Sequence, residues 1–205
     1  MDNININLLY IIESQYFPSI DWFKLSAKNS YVKIEQYDTF QKMTYRNRCI
    51  IAGSNGPVNL TVPLQNGREQ KTFMKEVRID NSQAWQKQHC KSLQSSYSNS
   101  PFFEYYAEGI FRELNRQYTF LFDLNWQLIQ WLSSVLKLKT TFSFTSQFVK
   151  RYDQNEAVDM RDAFLPKNRL SVPPGEETYQ QVFDNKFGFA PGLSVLDTLF
   201  CKGSL

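Results

Sequence analysis

Hydrophobic positions change period twice along the chain. Residues 6–14, INLLYIIES, form a short apolar run that suits a strand buried on both faces. The run passes into QYFPSIDWF, where Pro18 fixes a turn and Ser19 or Asp21 can cap a helix. That helix carries Ile20, Phe23 and Ala27 near helical spacing. Residues 31–37, YVKIEQY, then alternate as a half-buried strand does. The opening third therefore reads β-α-β. YRNRCIIA and VNLTVPL follow as two strand candidates around GSNGP, whose Asn-Gly step predicts a hairpin turn. Beyond the polar loop NGREQKTFM, residues 75–80 (KEVRID) alternate again. The simplest assembly is a mixed sheet of four or five strands, built mainly from the chain up to Asp80.

From Asn81 the period becomes helical. Trp85, His89, Leu93 and Tyr97 share one face, with Asn81 or Ser82 as the expected N-cap. SNSPFFEYYAEGIFRELNRQ starts a second helix, with Pro101 at its first position. TFLFDLNWQLIQWLSSVLKL is apolar around most of its circumference, which predicts a central third helix. TTFSFTSQF is a further short strand candidate. Residues at about 150–178 are polar and irregular, and a segment of that kind inside a compact domain is usually functional or mobile. The apolar end, YQQVFDNKFGFAPGLSVLDTLFCKG, is expected to dock back. The fold class is thus α+β (or mixed α/β): a β-α-β opening and a mixed sheet against a layer of about three helices. A single domain over residues 1–205 accounts for the length.

Composition narrows the functions. Apolar residues at 42% allow a packed core, and a net charge of +3 with no long Lys/Arg cluster argues against nucleic acid. The start lacks a basic leader and no window is apolar enough to span a membrane, so a soluble, cytoplasmic protein is expected. Cys49, Cys90 and Cys201 are widely spaced and odd in number, which suits reduced thiols and neither a zinc cage nor a disulfide framework. No nucleotide P-loop, nucleophile-elbow, zincin or EF-hand pattern occurs, and a single histidine excludes multi-His metal centres. Neither metal nor cofactor is expected.

Candidate chemistry rests on few residues. In an extended TYRNRCII, Arg46 and Arg48 would share one face and Tyr45 and Asn47 the other. Guanidinium forks suit phosphate or carboxylate oxygens, whereas pairing with carboxylates on neighbouring strands would make them structural. Glu35, Asp38 and Lys42 lie near enough in sequence to supply pairing charges or catalytic polarity. His89 is either a general base or a satisfied structural histidine beside Trp85 and Leu93. Lys167 and Arg169, in FLPKNRL, form a second candidate anion clamp or a solvated surface.

SQYFPSIDWFKL, YRNRC, LTVPL, VRIDNSQAWQKQHCKSLQSSYSNSPFFEYY and GLSVLDTLF, in this order and spacing, resemble the WbqC-like family, and within it the branch found in Bacteroidetes-type bacteria. The resemblance implies a link to surface-polysaccharide biosynthesis and an aminoacyl or acyl transfer, such as glycyl transfer, to an amino sugar. On that reading His89 or Glu35 would deprotonate the acceptor amine. Arg46 and Arg48, with Asn47, would hold phosphates of a nucleotide- or lipid-linked sugar, and Tyr16 and Trp85 would stack on the sugar. Lys167 and Arg169 would complete the substrate contacts. Many relatives read His-Gln-Pro after the first strand; here Ile12, Glu13 and Ser14 stand at those positions. The histidine's absence leaves Glu13 or His89 to replace it, or leaves a non-catalytic protein that binds an acidic or phosphorylated ligand or docks an envelope enzyme.

Overall fold

A computed structural model describes residues 9–65, 71–168 and 178–205. The β-α-β opening is present. Strand β1 (Leu9–Glu13) leads through Ser19, whose side chain caps Trp22 N, into helix α1 (Ile20–Ala27) and then β2 (Tyr31–Glu35). β1 and β2 pair in parallel, Tyr10 opposite Val32 and Glu13 opposite Glu35.

The rest of that sheet comes from much further along the chain. β3 (Arg48–Ile51) and β4 (Val58–Thr61) form a separate two-stranded sheet among the described residues, an antiparallel hairpin. Residues 75–80 do not form the expected strand. A single 3₁₀ turn, Met74–Glu76, stands there instead, followed by isolated bridges from Ile79 to Leu64 and from Arg78 to Phe120.

Helices α2 (Trp85–Tyr97), α3 (Phe103–Leu114) and α4 (Leu121–Val135) make the helical layer. The α2 cap differs from expectation. Ala84 holds the N-cap position without a side-chain bond, and the Ser82 and Gln83 side chains donate to the Asp80 carboxylate. α4 buries Leu121, Phe122, Leu124, Asn125, Leu128, Ile129 and Leu132.

β5 (Thr141–Phe144) then joins β2, and β6 (Ala157–Asp159) joins β1, both in parallel. β6 lies in the stretch read from sequence as irregular. The main sheet is therefore wholly parallel, in the order β5-β2-β1-β6. Trp22 of α1 stacks on Phe142, and Trp126 of α4 meets Phe144 edge-on. The two sheets and six α-helices of the described residues, completed by α5 (Asp184–Phe187) and α6 (Val195–Lys202), make an α+β fold.

α6 is tied to the loop after β1. Ser194 caps α6, its hydroxyl donates to Phe17 O, and its amide donates to Ile50 O. Asp197 is buried and accepts from Tyr97, Tyr179 and Gln181. Among the described residues no helix is long and apolar enough to cross a membrane.

Candidate functional site

In an open parallel sheet every strand ends at the same edge, and ligands bind where successive connections diverge to opposite sides. Here β1 is followed by β2 on one side while β6 flanks it on the other, so the divergence lies between the carboxyl ends of β1 and β6. Polar side chains converge on that edge. Glu13 ends β1, Glu35 ends β2, Asp159 ends β6, and Thr145 follows β5.

Glu13 is 3% exposed. One carboxylate oxygen accepts from Gln15 Nε2 at 2.6 Å and the other from the Asp162 backbone amide at 3.1 Å. Burial pushes its carboxyl up to about 7, against the opposing pull of Arg46 and of the hydrogen bonds it receives. Arg46 is 1% exposed and bridges two acids at 2.8 Å each, Asp38 through Nη2 and Asp162 through Nη1. Glu35 accepts from Tyr37 N, Thr145 Oγ1 and Arg161 Nη1.

Arg161 also grips Asp159 through Nε and Nη2, with the Phe148 and Tyr152 rings 5.2 and 5.3 Å away. Burial works to raise the Asp159 carboxyl, but hydrogen bonds and charge from Arg161 prevail and hold it below its ordinary range. The cluster thus sets five carboxyl groups (Glu13, Glu35, Asp38, Asp159 and Asp162) against two guanidinium groups. Asp162, which meets both Glu13 and Arg46, holds a positive φ of 62°.

The residues singled out from sequence divide between this edge and other places. Arg46 and Glu35 belong to it. Arg46 does not share a strand face with Arg48, because β3 starts only at Arg48 and Arg46 sits in the preceding turn. Arg48 is half-buried; its Nη2 reaches Met43 Sδ at 3.4 Å, and its Nε has no partner among the described residues. Glu35 pairs with Arg161 and not with the opening arginines.

Tyr16, Trp85 and His89 form a separate buried stack, with Tyr16 Oη 2.8 Å from His89 Nδ1 and Trp85 edge-on to His89 at 5.2 Å. His89 is also hydrogen-bonded to the Thr61 backbone, and burial lowers it to about 4. A histidine so enclosed and paired braces α2 against the β1–α1 loop. His89 is 5% and Trp85 3% exposed. Asn47 donates to Val62 O and locks the hairpin. Lys167 is exposed in a short 3₁₀ turn, Pro166–Asn168, and Arg169 lies outside the described residues.

Sequence reasoning missed Asp159, Arg161 and Asp162. They follow a strand of three residues, too short to show a period. The charge alternation in VDMRD was the one available signal.

A parallel sheet whose strand ends carry a paired, acid-rich cluster defines the class to which this chain's site belongs. The chain itself belongs to the WbqC-like protein family, whose model matches residues 13–182. That span begins at Glu13 and contains every charged residue of the cluster. The uncharacterized protein Rv1507c of Mycobacterium tuberculosis is similar to it, 26% identical over 216 residues, which cover 95% of this chain and 93% of that protein. No solved structure matches the chain.

Proposed function

We propose that this protein is a cytoplasmic transferase of surface-polysaccharide biosynthesis, joining an activated aminoacyl or acyl group to the amine of an amino sugar at the strand-end cluster. The observation that carries this reading is Glu13. A carboxyl group held at about 7 gives and takes protons near neutral pH, as a general base must. By the family resemblance it stands at the Gln position of the His-Gln-Pro that many relatives carry, next to the position of the missing histidine. As the acceptor nitrogen attacks the acyl carbonyl, Glu13 takes the proton that nitrogen loses and the activating group departs from the carbonyl carbon.

The charge balance bears on the ligand. Both terminal nitrogens of Arg46 are engaged by carboxylates, which favours a bridging role for this arginine over capture of an anion. Its excess of acids favours an amine or hydroxyl group over a phosphate. The family resemblance and its ordered words support the polysaccharide link and the Bacteroidetes-type branch.

The test is to incubate the protein with activated glycine and free amino sugars and read amide formation by mass spectrometry. Amide that Glu13→Gln abolishes supports the reading; amide formed equally by that variant removes Glu13 from it. A second reading, a non-catalytic binding protein, is favoured by the complete pairing of Glu13, Glu35 and Arg46 within the chain. Binding of amino sugars with no amide product from any donor would establish it.

A further inference from the structure

On the helical layer, away from the strand ends, the start of α3, the end of α4 and the end of α6 enclose a groove of about 740 Å³. This is within the range of sites for small molecules. Its walls are aromatic. Tyr105 is 80% exposed and stands edge-on to Tyr106, while Phe102 and the half-buried Trp131 complete the lining.

Two glycines build these walls. A Cβ at Gly109 would lie 2.6 Å from the Trp131 ring, so the indole rests directly on the α3 backbone. A Cβ at Gly203, where φ is +76°, would lie 2.8 Å from the Phe102 ring. Between the rings are Ser134 and Ser204, and Tyr106 Oη donates to Gly203 O at 3.4 Å. Among the described residues, Lys137 is the one charged side chain in the lining, and the lining holds no carboxylate side chain.

We infer that this groove is a saccharide site, and that its sugar is acidic. A pyranose ring presents a face of weakly positive C–H groups, which matches the negative face of an aromatic ring. Its hydroxyls need donors and acceptors at the rim, which the serines, tyrosines and helix-end carbonyls supply. The lone cation decides the charge, since Lys137 has no acid in the groove and can pair with a sugar carboxylate. The site goes beyond the strand-end reading and does not depend on it.

The experiment is calorimetric titration of the full chain with trigalacturonate and, as a neutral counterpart, maltotriose. Trigalacturonate is expected to bind more tightly. Tyr105→Ala, at a residue too exposed to govern folding, should weaken it about tenfold or more. Lys137→Gln should bring its affinity down to that of maltotriose, and Glu13→Gln should leave it unchanged. Absence of trigalacturonate binding, or binding that Tyr105→Ala does not alter, overturns the assignment. So does a dimer in sedimentation velocity that Tyr105→Ala dissociates, because the groove would then seat a second copy of the chain.

Discussion

Replacing Glu13 with Gln removes a buried carboxyl while keeping its size. In the unfolded chain that carboxyl titrates at 4.5, and in the folded protein burial raises it to about 7. The folded state therefore keeps a proton that the unfolded state releases over this window. Stability from this group is fully present below 4.5 and is lost as pH rises through 7. The interval corresponds to roughly 3 kcal/mol, of which roughly 2 kcal/mol falls between pH 5 and pH 8.

Gln does not titrate, and all other groups are common to both proteins. Urea unfolding of wild type and Glu13→Gln at those two pH values isolates the effect as a difference of differences. The variant should gain on the wild type at the higher pH by that amount, whatever its absolute stability. A difference that stays constant with pH would mean that Glu13 ionises without penalty. The argument for a base poised near neutrality would then fail.

Arg46→Gln should cost about 3–5 kcal/mol in urea unfolding, because it strands Asp38 and Asp162 beside Glu13. Arg48→Gln, whose guanidinium meets Met43 Sδ among the described residues, should change stability by about 0.5 kcal/mol or less. Tyr16→Phe should cost about 1–3 kcal/mol by leaving His89 Nδ1 unpaired, which thermal unfolding near neutral pH will show. His89 itself is held down to about 4 from 6.5, so its contribution is full above 6.5 and is lost as pH falls toward 4. In wild type minus His89→Gln this loss should appear over that window. Thiol titration should count three free groups after denaturation, with Cys49 unreactive in the native protein because it is buried and burial raises its thiol further.

Elements set by local pattern were legible in the chain. The β-α-β opening, the hairpin at the Asn-Gly step and the three long helices all follow from periods of two and 3.6, from turn residues and from the Ser19 cap. The pairing of distant strands was not legible, because a parallel partner is chosen by packing across a long connection and leaves no mark in either segment. β5 and β6 displaced β3 and β4 from the main sheet for that reason, and β6 was too short to declare itself.

The site shows the same division. Sequence marked Arg46 as a guanidinium that binds an anion or pairs with carboxylates, marked Glu35 as a nearby charge, and left Glu13 or His89 to replace a missing histidine. Their partners, Asp162 and Arg161, lie 116 and 126 residues further along. Only the assembled sheet brings Asp162 to the end of β1 and excludes water from Glu13. Desolvation and charge act through space, so the carboxyl's proton affinity belongs to the folded arrangement and to no stretch of sequence.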